Sequence, residues 1–205
     1  MSKELRPLAS TRQSKKVSRN YTKPNWRTFR FGVEEYELAV ADKNGVLVFR
    51  DIIFEERFDR KERNDDCTNV YNNSTLKRKL EEWFDKYAPQ AFKDNYTIDL
   101  LEAYEIFDWD QLPQECRNGK QLAIFRDWHN RVKGMKGQRR GYWWWTKTKT
   151  SYYGNARYNV IIVNPAGDCN HYSAWVGTGV VPCLRPKADA SVKQGEYELL
   201  KEVLS

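Results

Sequence analysis

A single clean helical period stands out in this chain, and it is short. Leu76, Leu80, Trp83, Phe84 and Tyr87 fall at i, i+4, i+7, i+8 and i+11, one apolar stripe on a helix over 74–87. Asn73 or Ser74 can cap its start by accepting from the orphan amides of the first turn, and Pro89 bars its continuation. Elsewhere the apolar residues alternate, or come in short runs broken by Gly, Pro, Asn and Asp, which is the pattern of strands joined by tight turns. One prominent amphipathic helix among antiparallel strands predicts an α+β architecture.

Residues 35–54 read as a hairpin. Tyr36, Leu38 and Val40 alternate with polar or small neighbours, and Asp42-Lys43-Asn44-Gly45 supplies a turn in which Asn-Gly suits positive φ. Val46-Leu47-Val48-Phe49 is apolar on both faces, as a central strand is. Residues 51–66 are densely charged and read as a loop or short helix, and 98–109 as a second short helix. From Arg157 onward the pattern is a meander: a strand over 158–163, a turn at 164–168, a return over 169–176, a turn at Gly177-Thr178-Gly179 and a closing strand over 180–184. Leu199, Leu200, Val203 and Leu204 predict a short helix within 189–205 that packs on the body. There is no internal repeat.

Several short, ordered motifs carry a resemblance. Phe31-Gly32 precedes Tyr36-Glu37-Leu38; Ser74-Thr75-Leu76-Lys77 opens the helix, with Trp83 at a bulky position; Trp143-Trp144 precedes Val163-Asn164, Gly167 and Gly179-Val180-Val181-Pro182. Over about 30–186 the chain resembles a family of uncharacterised bacterial and phage domains with a C-type-lectin-like fold, related to formylglycine-generating enzymes. The resemblance implies a binding scaffold over 31–188 that carries chemistry only where particular residues are added. The chain departs from the family pattern in three places: Val181 stands where an Arg is usual, Thr146-Lys147 where Arg-Ser is usual, and the region 117–141 is more basic than the family pattern leads one to expect. Such departures bear on the ligand and not on the apolar pattern that makes the fold.

Charge divides the chain unevenly. Residues 1–30 hold nine basic side chains against one acid, Glu4, a net +8, which leaves −1 for the remainder of a chain whose total is +7. A basic arm over 1–30, with 1–25 extended and mobile in the free protein, is thus joined to a nearly neutral body. No apolar run reaches the roughly 18–20 residues a bilayer span needs, and the basic N-terminus lacks the apolar core of a secretory signal. The expected setting is a bacterial cytoplasm or a virion, with no membrane partner. Reduced thiols are the default for Cys67, Cys116, Cys169 and Cys183, a Cys169–Cys183 bridge being the alternative under oxidising conditions.

The chemistry-bearing residues do not assemble into a recognisable catalyst. Related formylglycine-generating enzymes use a cysteine pair, but Cys169 and Cys183 sit on separate predicted strands without the short spacing. Cys169, His171 and Cys183 offer three metal ligands where a structural zinc site wants four at regular spacing. Asp127 and His129, two apart, would not share a helix face. No Gly-rich phosphate loop, nucleophile elbow or carboxylate pair appears. The sequence therefore predicts no enzyme, no cofactor and no metal site.

Two basic segments point instead to binding. The arm offers Arg12, Lys15, Lys16, Arg19, Lys23 and Arg27; the loop from 131 to 149 offers Arg131, Lys133, Lys136, Arg139, Arg140, Lys147 and Lys149, with no acid among them. Such side chains neutralise phosphates, Gly134, Gly137 and Gly141 allow close backbone approach, and the Trp143-Trp144-Trp145 run can either stack on unpaired bases or fill the core. The leading expectation is a non-enzymatic binding protein whose lectin-like body contacts a protein or ligand and whose arm contacts RNA, DNA or another polyanion. The alternatives are a phage or mobile-element component (structural, in a ribonucleoprotein or virion assembly, or an inhibitor of host defence) and a carbohydrate-binding lectin. The last would want a dense acid/Asn cluster for calcium, which the sequence does not display.

Overall fold

The computed structural model describes residues 24–60, 68–138, 140–151 and 158–188. Among the described residues ten strands form two five-stranded sheets. The first has the order β1 (Arg27–Phe31), β2 (Glu34–Val40), β3 (Leu47–Phe49), β10 (Pro182–Pro186) and β5 (Tyr96–Leu100). The second has the order β4 (Phe54–Arg57), β9 (Gly177–Val180), β6 (Trp144–Lys149), β7 (Asn159–Val163) and β8 (Cys169–Ser173). All pairings are antiparallel except β6 with β9, which meet in parallel at Trp144 and Gly179. The described body is a mixed, sheet-rich α+β structure with few helices.

Helix α1 (Thr75–Tyr87) runs where the apolar stripe predicts, and Leu76, Leu80 and Phe84 are buried along it. Ser74 is the cap: its Oγ accepts from Lys77 N at 3.1 Å and donates to Tyr71 O at 2.7 Å. Pro89 ends α1 by opening a second short helix, α2 (Gln90–Asn95). The first sheet meets these helices through aromatic rings. Phe31 stacks on Trp83 (centroids 5.5 Å apart, 19° between planes) and lies 5.3 Å from Phe92. The Phe31-Gly32 and Tyr36 signature is thus core, with Gly32 at φ +62 opening the two-residue turn between β1 and β2. The Asn44-Gly45 turn also forms, with Gly45 at φ +77 and Asp42 Oδ1 accepting from Asn44 N at 3.0 Å.

β6 explains the Trp run. Successive strand residues face opposite sides, and both Trp144 and Trp145 are fully buried, so both faces of β6 are covered. Trp144 donates its indole N–H to Arg131 O at 3.0 Å, and Trp145 donates to Glu56 O at 2.9 Å. Their place in the core removes them as stacking platforms for bases.

Four expectations differ from the structure. Residues 27–30 of the expected arm are the start of β1, where Phe29 and Phe31 are buried and Thr28 and Arg30 exposed. The charged stretch after residue 51 contains the edge strand β4, in which Glu55 is exposed and Glu56 turns in to pair with Arg60 and Lys79. Residues 98–100 end strand β5, and α3 (Ala103–Ile106) follows. Gly177-Thr178-Gly179 lies in β9, and the turn falls earlier, where Val176 N donates to Ser173 O at 2.9 Å. The C-terminal helix expected within 189–205 lies outside the described residues.

Candidate functional site

The loop cations separate into buried and exposed groups. Arg131 ends a 3-10 turn over Trp128–Arg131 and is 4% exposed. Its Nε donates to Phe125 O at 3.1 Å, its Nη1 donates to Gln111 Oε1 at 2.8 Å, and its guanidinium lies over the Phe107 ring. Burial lowers its pKa, while Asp108, Asp168, Asp110 and Asp127 oppose that shift. Lys133 is 2% exposed and donates to Phe49 O at 3.0 Å. Neither cation reaches a surface phosphate, so both leave the expected interface. Their long apolar stems fill the interior while local acceptors satisfy their heads.

Lys147 is also engaged internally. It lies 2.6 Å from Asp99 and 3.8 Å from Glu102, beside Arg185, which binds Asp99 and Glu105. Burial would lower the Lys147 pKa, but the Asp99 charge and hydrogen bond raise it. Lys136 is half-exposed, paired with Glu34 at 2.6 Å and set over the Tyr36 ring. Arg140 and Lys149 are exposed, and Arg27 is half-buried in β1. Arg12, Lys15, Lys16, Arg19, Lys23 and Arg139 lie outside the described residues.

The loop glycines serve internal contacts more than a partner. A Cβ on Gly141 would lie 2.2 Å from Pro165 O, and one on Gly134 would lie 2.8 Å from Arg140 O. Only at Gly137, among these three, is the space open, with φ +79.

The fold nevertheless brings the root of the N-terminal segment against the basic loop. Trp26, at the root of the arm, lies over the Lys133 ammonium (5.1 Å to the ring centroid) and beside the Arg50 guanidinium (5.9 Å). At the other end of the β1–β2 hairpin, Lys136 reaches Glu34 and Tyr36. The arm root and the loop at Lys133 are therefore neighbours, and Arg30, Arg50, Lys136 and Arg140 are exposed. Arg30 and Arg50 carry exposed partners, Glu35 and Glu37.

A separate cleft of about 640 Å³ opens where the end of β6 meets the segments around Tyr71 and Glu115. Its wall includes Asn72, Glu102, Glu115, Asn118, Lys147 and Lys149. Glu115 accepts from Thr150 Oγ1 at 3.2 Å, and Thr148 donates to Glu102. Two carboxylates, two ammoniums and several amides and hydroxyls converge there on a volume suited to a small polar ligand. Sequence reading missed this group because its members are scattered from 69 to 151 and form no motif.

Cys67 lies outside the described residues, and the other three cysteines and the histidines occupy ordinary positions. Cys169 and Cys183 are free and lie in different sheets. Burial pushes the Cys116 thiol up to about 11 and the Cys169 thiol up to about 12, and raises Cys183 as well. His129 does meet Asp127, with Nδ1 2.8 Å from Oδ1, because Asp127 caps the 3-10 turn and does not lie within a helix. The imidazole is exposed and stacks on Trp128 at 3.9 Å. Among the described residues no three His, Cys, Asp or Glu side chains converge as metal ligands, and no helix is long and apolar enough to cross a membrane. Compared with family models, curated proteins and solved structures, the chain finds no match.

Proposed function

We propose that this chain is a non-enzymatic binding protein: a C-type-lectin-like body that carries a basic arm for RNA, DNA or another polyanion. The observation that carries the reading is the charge division, a net +8 on residues 1–30 against −1 on the rest, with Trp26 at the arm root packed beside the exposed Arg50. Phosphates attract mobile Lys and Arg through counterion release, which needs no sequence-reading surface. The body's own acids hold several of its cations in internal pairs, which leaves the arm as the main reservoir of available positive charge. The cleft beside Glu115 and Lys149 favours a second contact, in which the body takes a small polar ligand. Cys116, buried, and Cys169, half-buried, have thiols pushed up to about 11 and 12 and are poor nucleophiles, which supports a binding role over a thiol-based catalytic one. Affinity purification of the full chain from bacterial extract, with and without RNase and DNase, tests the reading. Co-purifying material that either nuclease removes is the expected result; a partner set unchanged by both nucleases and by 0.5 M salt overturns it.

A further inference from the structure

The cleft at the end of β6 has a polar floor. Asn69, Tyr71 and Thr150 line it, although each is more than nine-tenths buried. Asn69 donates to Asn159 O at 3.2 Å, and Thr150 Oγ1 donates to Glu115 at 3.2 Å, so hydrogen bonds within the body hold the floor in place. Amide, phenol and hydroxyl groups in that position select against an apolar guest. The wall carries four charges, and two of them are already engaged. Lys147 lies 2.6 Å from Asp99 and 3.8 Å from Glu102, and Glu102 also accepts from Thr148 Oγ1 at 2.5 Å. The other two charges are open. Glu115 accepts from the hydroxyls of Thr150 and Ser151 but meets no cation among the described residues, and exposed Lys149 meets no acid among them. One anion and one cation thus line the same cleft without bridging each other.

We propose that this cleft binds a small zwitterion, with the chemistry of a free amino acid or a short peptide with open ends, whose ammonium meets Glu115 and whose carboxylate meets Lys149. The assignment rests on the reading above that the cleft takes a small polar ligand, and it specifies that ligand's charge. A purely anionic guest is repelled by the open carboxylate, and a purely cationic one by the open ammonium. A dipolar guest satisfies both. Asn72 is exposed on the wall, and Asn118, whose Nδ2 donates to Glu115 O at 3.3 Å, adds a second amide for the polar frame of the ligand. The volume of about 640 Å³ leaves room for a dipeptide as well as for a single amino acid. Both charged contacts stay partly solvated, so the affinity is modest and falls with added salt.

NMR titration of the full chain with glycylserine and with serine, followed at the backbone amides of Asn72, Glu115 and Lys149, tests the assignment. Saturable shifts at these amides are expected, and the probe that saturates first tells a peptide site from an amino-acid site. Acetylating the amine or amidating the carboxylate of that probe is expected to weaken binding at least ~3-fold in each case. Glu115→Gln keeps an acceptor for Thr150 and is expected to weaken the free probe by a similar factor while leaving the acetylated one unchanged. Lys149→Met is expected to do the same for the free and amidated probes. Equal affinity of free and blocked probes overturns the zwitterion, as does tighter binding of succinate, putrescine or sucrose at the same amides. Either result still leaves the cleft a small-molecule site. No shift with any of these compounds at about 10 mM overturns the zwitterion and the small-ligand reading together. Oligonucleotide binding by the arm is a separate measurement that neither result decides.

Discussion

Arg185 shows how single residues tie this body together. From β10 its guanidinium forks onto Glu105 of α3 at 2.9 and 2.7 Å and reaches Asp99 of β5 at 2.8 Å. Burial opposes its charge, but the Glu105 hydrogen bonds and the surrounding acids raise its pKa. Arg185→Met strands a mostly buried Glu105 and is expected to cost about 3 kcal/mol in urea unfolding. Arg185→Lys restores only part of that, since a point charge cannot make the paired contact. Trp144→Ala combines a cavity with an unpaired Arg131 carbonyl and is expected to cost about 3–5 kcal/mol. Arg140 is the contrasting case. Exposed on the loop, it can be changed to Ala with no shift in melting temperature, while the salt dependence of polyanion binding is expected to drop by about 0.9 in log–log slope.

Helix α1 is held by its buried stripe and started by its cap. Ser74 joins the helix start to the preceding turn through Lys77 N and Tyr71 O, so Ser74→Ala is expected to lower stability by about 1 kcal/mol, readable in thermal unfolding. That element was legible in the sequence because its period, cap and stop are all local. The β2–β3 hairpin was legible for the same reason, through Asn44-Gly45. β4 was not: Phe54-Glu55-Glu56-Arg57 is a polar edge strand whose identity comes from pairing with distant Gly177–Val180. β9 was hidden by its glycines, of which Gly179 leaves no room for a Cβ against Ile52 and Trp143 O. β5 carried a readable alternation in Tyr96, Ile98 and Leu100, obscured by the acidic segment after it. The cations failed for a related reason. A Lys or Arg in sequence shows its charge but not its partner, and Lys133 finds Phe49 84 positions away while Lys147 finds Asp99 48 positions away. The cleft wall, gathered from several elements, gave no local signal at all.

At the scale of the whole molecule, the described residues form a two-sheet body, and the sequence places a net +8 on residues 1–30 against −1 on the rest. Folding draws Arg131, Lys133 and Lys147 into internal contacts and leaves Arg140 and Lys149 exposed. The proposed polyanion binding therefore rests on residues 1–25, which hold seven of the basic side chains. The most direct measurement is the affinity for a labelled single-stranded oligonucleotide across 50–300 mM salt, with the full chain and with residues 1–25 removed. If most of the seven cations meet phosphates, the full chain has a log–log slope of about −4 to −5, each contact to a single strand contributing about 0.7. Removal of the arm is expected to flatten that slope toward −1 and weaken binding at least ~100-fold at the lowest salt. Equal affinities and equal slopes for the two proteins would contradict the account.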